Sequence, residues 1–345
     1  GAFEYCERLT SITIPGSVET LGASPFTGCY KLSEIRIFGE GDILKMVDGV
    51  LFDKEMTRLI WCSRGKSGNY VIPSTVKIID TAAFYSRCLL TSITIPDSVS
   101  EIEGSTFYEC SHLKTVAIHC SITSIDYFTF YGCAALESIT IPDTITSIGD
   151  YAFSGCCSLK SIKIPNTIAS IGRGAFYDCN NLASISIPDS ITSIEKELFF
   201  GCFSLTSISI PHSVTSIGKA AFCGCSGVKS ITIPNSVTSF GKKAFCNCSF
   251  LESITLPDSI KRIPARAFSF CFALKSIVIP SSVASIGESA FSCCDKLESV
   301  VFQCSVPLIE ERAFITCYKL KTVLVPRGFR CPRNTFPNKT IINRY

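Results

Sequence analysis

The chain has 345 residues, of which 46% are hydrophobic and only 18% charged, with a formal net charge of +3. So little charge excludes a disordered or coiled-coil chain, and 22 Gly with 16 Pro exclude collagen-like or low-complexity sequence. No stretch of ~18 apolar residues occurs, so no membrane-spanning helix is expected, and 21 Cys, an odd number, cannot all pair internally.

The opening GAFEYC starts in mid-repeat and lacks the charged-then-apolar pattern of a leader. The sequence is therefore expected to be part of a longer chain, with any leader outside it. Phe3 and Phe26 stand 23 residues apart, and the same spacing runs from Phe84 through Phe107, Phe130, Phe153, Phe176, Phe199, Phe222, Phe245, Phe268 and Phe291 to Phe314. A fixed period of this length is the mark of a stacked repeat. Residues 1–37 are expected to form N-terminal repeats and 73–326 the regular array. Between them, 38–72 holds the only Trp (Trp61) and both Met (Met46 and Met56). Its VDGVLFDKEMTRLIWC reads as two apolar runs around a polar turn, an enlarged irregular rung with a projecting hairpin. Residues 327–345 are expected to form a basic cap.

One unit, such as Ile141–Pro165, can be read piece by piece. LxSIxIP places β-branched residues at alternate positions, so it predicts a short strand. Pro142, Pro165, Pro188, Pro211, Pro234, Pro257 and Pro280 end that strand, because proline has no N–H for the ladder. SVTSIG predicts a second extended piece, closed by a glycine such as Gly149 or Gly218. The xxAFxxC segment predicts one helical turn that plugs Phe into a core. No unit buries its apolar side alone, so the units must stack.

The motif CxxLxSIxIPxSVxSIGxxAF, complete at Cys202–Phe222 and repeated over nearly the whole chain, resembles the BspA-like (Treponema-type) leucine-rich repeat. The resemblance implies a β-rich leucine-rich-repeat solenoid, a parallel β-sheet with short helical turns, in about 14 rungs of 23 residues with one irregular rung. It further implies surface-displayed proteins of bacteria and anaerobic protists that bind host matrix proteins or other cells. It carries no catalytic residues across.

Twelve of the 21 Cys follow an anchor Phe by three residues and form a column: Cys6, Cys29, Cys110, Cys133, Cys156, Cys179, Cys202, Cys225, Cys248, Cys271, Cys294 and Cys317. Parallel side chains at the strand spacing of ~4.8 Å lie too far apart for the ~3.5–4.5 Å that a disulfide needs between Cβ atoms. Reduced, buried thiols acting as small hydrophobes are expected. The off-column Cys62, Cys88, Cys120, Cys157, Cys223, Cys246, Cys293, Cys304 and Cys331 are the ones open to thiol chemistry, and Cys157, Cys223, Cys246 and Cys293 are expected nearer the surface. The densest Cys/His group, Cys110, His112, His119 and Cys120, lacks the paired spacing of a zinc site. P-loop, dinucleotide-fingerprint, G-x-S-x-G and H-E-x-x-H motifs are missing. Neither catalysis nor a metal or other cofactor is expected.

Binding is the remaining class. Ser138 and Thr140, Ser161 and Lys163, Ser184 and Ser186, and Ser207 and Ser209 recur on the predicted strand face as a platform of hydroxyls. Beside it, Lys114, Glu137 and Lys160, and again Lys229, Glu252, Lys275, Glu298 and Lys321, alternate in charge and keep neighbouring strands in register. Turn aromatics such as Tyr108, Tyr131, Tyr177, Phe200, Phe203, Phe250, Phe270, Phe272 and Tyr318 either fill gaps between rungs or form an interface patch. Trp61 with Arg58, Arg64 and Lys66 is the expected ligand-contacting cluster, on an insertion of the kind that often binds. The basic end (Lys319, Lys321, Arg327, Arg330, Arg333, Lys339 and Arg344) reads as a polar cap, and no nucleic-acid partner is expected. Asn247-Cys-Ser and Asn338-Lys-Thr are glycosylation sequons if the chain is secreted by a eukaryote. The expected protein is a monomeric extracellular or cell-surface adhesin for a protein or glycan ligand, host extracellular matrix included. The alternative is a cytoplasmic protein–protein interaction scaffold, which free thiols favour.

Overall fold

Alternating apolar residues and a closing proline give most repeats two short strands, of two to six residues, instead of a long one. In the computed structural model, which describes residues 2–22, 24–39, 43–303, 308–330, 332 and 334–344, the repeat containing Phe153 carries the strands Ser147–Ile148 and Ser161–Ile162. Partners are offset by 23 residues: Ser124 and Ile125 pair in parallel with Ser147 and Ile148, and these with Ser170 and Ile171. The architecture is a parallel β-solenoid, with two compact units at Gly1–Ala175 and Phe176–Tyr345.

In the first unit, Ser11–Pro15 pairs in parallel with Glu34–Phe38. Leu44–Val47, Val50–Asp53 and Arg58–Cys62 then form an antiparallel meander. Its last strand hands over to the parallel ladder at Ile78–Ile79 and Glu101–Ile102. The expected hairpin is present but does not project. Leu51, Ile60 and Trp61 pack with Ile14, Phe26, Leu32 and Ile35 in one apolar cluster. A second ladder on this unit runs through Gly68–Val71, Leu90–Ile95, Thr115–Ile118 and Ser138–Ile139.

The second unit repeats both ladders. One includes Ser193–Ile194, Ser216–Ile217 and Ser239–Phe240. The other includes Ser276–Ile279, Ser299–Phe302, Thr322–Val325 and a final strand, Ile341–Arg344. Phe336 stacks on Phe314 at 5.1 Å, so the ring column continues one step past the last 23-residue interval. Arg333, Cys304 and Cys331 lie outside the described residues.

The anchor rings form the core. Phe84, Phe107, Phe130 and Phe153 stack at 5.2–5.4 Å, and Phe176 through Phe314 at 5.0–5.8 Å, all essentially inaccessible to solvent. The segment around each ring is not the helical turn that the sequence suggests, and no helix occurs among the described residues. Left-handed residues bracket the ring two positions to either side, for example Tyr151 (φ 54°) and Gly155 (φ 73°), or Arg266 (φ 57°) and Phe270 (φ 62°). They interrupt any helical run. The N–H groups also turn outward: those of Tyr151 and Phe153 donate to the carbonyls of Arg173 and Ala175 in the next rung, both at 2.8 Å. The turn is therefore part of the rung-to-rung ladder.

The thiol column has a partner. Cys110 Sγ donates to the Phe84 carbonyl at 3.0 Å, Cys133 to Phe107 at 3.2 Å and Cys156 to Phe130 at 3.3 Å. Cys202, Cys225, Cys248, Cys271, Cys294 and Cys317 do the same at 3.1–3.3 Å in the second unit. Cys6 alone of the column is exposed, and no described cysteine is in a disulfide.

Candidate functional site

Two-residue strands leave one side chain in and its neighbours out. Ile139, Ile162, Ile185 and Ile231 are buried, whereas Ser138, Thr140, Ser161 and Lys163 of the first unit and Ser184, Ser186, Ser207, Ser209, Ser230 and Thr232 of the second are exposed. Each unit thus presents a face of small hydroxyls over an apolar floor. The charged column beside it does meet across rungs at Lys275 and Glu252, 2.5 Å apart. This contact holds the Glu252 carboxyl below its ordinary range.

In the second unit the hydroxyl face is broken by a groove. Ser207 forms only an isolated bridge to Ser184, and the next regular strand begins at Ser230. A cleft of ≈ 410 Å³ opens between these segments, lined by Ser207, Ser209, His212, Ser230, Thr232 and the half-buried Ile208, among others. It combines hydroxyls, an imidazole and an apolar floor, which suits hydrogen bonding to a polar macromolecule. A run of identical repeats predicts no such gap, and His212 in the place of the usual Asp or Asn after the proline is the one hint in the sequence.

The four residues of the expected ligand-contacting cluster each have a partner of their own: buried for Trp61 and Arg58, exposed for Arg64 and Lys66. Trp61 is 4% exposed, with the Arg87 guanidinium 5.3 Å from its ring centre. Arg58 grips the fully buried Asp80 with Nε at 2.6 Å and Nη2 at 2.8 Å. Lys66 pairs with Asp48 and lies 4.4 Å over the Tyr70 ring. Arg64 keeps an exposed head group while donating to the Tyr30 carbonyl at 2.7 Å.

Acids replace the rung-closing glycine at Asp80 and Glu103, as they also do at Asp126, Glu195 and Glu310, and at the first two positions they build a network with Ser24, Arg58 and Thr81. Glu103 accepts from the Ser24 hydroxyl (2.6 Å) and from the N–H and hydroxyl of Thr81 (2.8 and 2.6 Å). Burial pushes Glu103 up, but these hydrogen bonds outweigh it and hold the carboxyl below its ordinary value. Asp80 is pushed up to about 6 by burial, against the opposing Arg58. Burial likewise lowers Arg87 and drives the Cys110 thiol up to about 12.

Off the column, Cys62, Cys120, Cys223 and Cys246 are buried and Cys88, Cys157 and Cys293 half-buried. Cys223 and Cys246, expected nearer the surface, instead pack together with Ala220 under Phe200. The four members of the Cys110/His119 group do not converge, since both Cys are buried and both His exposed. Among the described residues no three His, Cys, Asp or Glu side chains meet as a metal site would require. The turn aromatics divide: Tyr85, Tyr108 and Tyr131 stack at 4.5–5.0 Å, while Phe203, Phe250, Phe270, Phe272 and Tyr318 are exposed.

The family model of the BspA-type leucine-rich-repeat region matches this chain in six copies, over residues 1–52, 62–173, 123–251 and 215–343. The chain belongs to the BspA-type leucine-rich-repeat family. The chain is also similar to solved leucine-rich-repeat structures. A leucine-rich-repeat protein from Bacteroides ovatus is 26% identical over 89% of this chain and 99% of its own, with a TM-score of 0.56. A leucine-rich cell-surface protein from Faecalibacterium prausnitzii is 25% identical over 84% and 96%, with a TM-score of 0.53. The pneumococcal vaccine antigen PcpA, 18% identical over 88% and 93% with a TM-score of 0.57, shares the fold. No curated protein matches the chain. No helix among the described residues is long and apolar enough to cross a membrane.

Proposed function

We propose that this BspA-type protein is displayed at a cell surface or secreted, and binds a protein or glycan of a host or neighbouring cell through its hydroxyl-rich faces. The observation that carries the reading is the face itself: exposed Ser138, Thr140, Ser161 and Lys163 over buried Ile139 and Ile162 in the first unit, and exposed Ser184, Ser186, Ser230 and Thr232 over buried Ile185 and Ile231 in the second. Such a face offers many directional hydrogen bonds over a wide area and few large anchors, and the groove at Ser207–Thr232 adds a concave point to it. Ser138, Thr140, Ser161 and Lys163 make the corresponding platform on the first unit. Of the four, Arg64 is the most exposed and the best placed to reach a ligand, while Arg58, Trp61 and Lys66 also fix the meander and the turn after it. The described column thiols, almost all buried and with burial raising those such as Cys133 and Cys225, are too protected to demand a reducing compartment. An oxidising exterior is therefore compatible with them.

Antibody labelling of intact against permeabilised source cells tests the placement. Label on intact cells that protease treatment removes is expected. Label confined to permeabilised cells would turn the reading to a cytoplasmic scaffold.

A further inference from the structure

Two aromatic side chains break a column that is otherwise small or charged. Two residues before the anchor stand Ala82 and Ser105, then Phe128 and Tyr151; three before it, Gly104 is followed by Tyr127 and then Asp150. The result is a cleft of ≈ 530 Å³ in the first unit, walled by Tyr127, Phe128 and Tyr151 and edged by Asp126, Asp150 and Ser147.

The position of Tyr127 is built in. A Cβ placed on Gly104 would lie 2.5, 2.7 and 2.8 Å from Cζ, Cε1 and Cε2 of Tyr127. Near-equal distances to three ring atoms mean that the ring lies face-on over the glycine. Tyr127 is nevertheless 51% exposed, so its second face is open. Phe128 stands perpendicular to it at 6.1 Å and 89°, and is itself stacked on Tyr151 at 5.3 Å. The cleft is a right-angled aromatic corner.

Two carboxylates edge it. Asp126 accepts from the Ser124 hydroxyl and Asp150 from the Arg173 backbone N–H, both at 2.8 Å, which leaves each a second oxygen. Neither carboxylate has an ion-pair partner among the described residues. An open ring face beside two carboxylates is the chemistry that holds an organic cation. The protein itself demonstrates the fit on the neighbouring ring, where the Arg173 guanidinium lies 5.5 Å from the centre of Tyr151.

We propose that this cleft receives an arginine side chain displayed by a partner protein, stacked on the open face of Tyr127 and hydrogen-bonded by Asp126 and Asp150. The site is separate from the hydroxyl faces, and stands or falls independently of what they bind.

The test uses a fluorescein-labelled Gly-Arg-Gly-Arg-Gly peptide and its citrulline counterpart, which keeps the shape and removes the charge. Fluorescence anisotropy with the whole chain at low ionic strength reads the affinity. The arginine peptide is expected to bind at least about tenfold more tightly than the citrulline peptide. Tyr127→Ala and the pair Asp126→Asn/Asp150→Asn should each weaken it by about five- to tenfold. Tyr127→Phe, which preserves the ring, should retain it, as should Glu137→Gln on the other ladder. Should Tyr127→Ala fail to fold, the Asp pair together with Tyr127→Phe decides. Equal binding of the two peptides, no binding at all, an unchanged affinity in the Asp pair, or an equal loss in Glu137→Gln would overturn the proposal. So would capture of a neutral oligosaccharide, lost in Tyr127→Ala, in place of the arginine peptide.

Discussion

The Sγ of Cys133 donates to the backbone carbonyl of Phe107 at 3.2 Å, and that same carbonyl accepts the N–H of Cys110 at 3.2 Å. One buried oxygen thus ties together the turn of its own rung and the thiol of the next. The recurrence of cysteine every 23 residues follows from this contact: the position needs a small apolar side chain that still carries a donor. Cys133→Ala removes the donor and opens a small void, and is expected to cost about 1–2 kcal/mol. Phe130→Ala, which empties the ring column, is expected to cost about 3–5 kcal/mol. Chemical denaturation of the two variants checks the order, and an alanine at 133 as costly as that at 130 would contradict it.

Thiol labelling should separate the cysteines by position. Burial pushes the Cys88 thiol up, but hydrogen bonds from Ser111 and Ser86 outweigh it and hold the group below its ordinary value. Cys88 is half-buried, so its sulfur is within reach of reagent. Iodoacetamide at neutral pH is expected to modify Cys88 ahead of Cys157 and Cys293, and to spare Cys110, Cys133 and Cys225 until the chain unfolds. Peptide mass spectrometry over a time course reads this directly. Early modification of Cys133 in the native protein is the outcome that would refute the buried column.

Asp80 gives a pH signature. Its carboxyl is raised from an ordinary 3.8 to about 6, so the native state holds that proton over a range in which the unfolded chain has lost it. This group therefore makes the fold less stable as pH rises from about 4 to about 6. Glu103, held low, works in the opposite sense: its contribution is present above its ordinary value and lost as pH falls through the depressed one. Carbon-detected NMR should find Asp80 titrating near 6. Arg58→Met, which removes the opposing cation, should move that titration upward. A midpoint unmoved by the substitution would show that the ion pair does not act on Asp80.

Arg312 sits at φ 58° on the surface of its turn, a conformation that costs a side chain with a Cβ about 1–2 kcal/mol. Arg312→Gly is expected to stabilise the protein by about 0.5–1 kcal/mol after the added freedom of the unfolded chain is counted. Thermal unfolding measures it, and a lowered midpoint would mean that the strain is relieved some other way.

The solenoid, the paired strands and the outward hydroxyls are all legible in the amino-acid sequence, from the period of Phe and the proline after each strand. What stays hidden there has physical reasons. Left-handed turn positions are occupied by residues as different as Tyr151, Phe270 and Arg312, which carry no local signature, so a helical turn is an equally reasonable reading of the same letters. Phe336 follows Phe314 by 22 residues and falls outside the spacing, although its ring continues the stack. In the apolar run Arg58–Cys62, alternation alone does not tell which side faces the core. Trp61, expected at the surface, is enclosed, and its basic neighbour Arg58 answers a buried carboxylate 22 residues away.

Binding by the hydroxyl face is what the proposed adhesive role depends on. Its most direct test is the adhesion of host or neighbouring cells to immobilised protein, compared with a Ser207→Glu/Ser230→Glu variant that fills the groove with charge. With the circular dichroism of the two proteins matched, the variant is expected to retain roughly tenfold fewer cells or less. Equal retention by both proteins would contradict it.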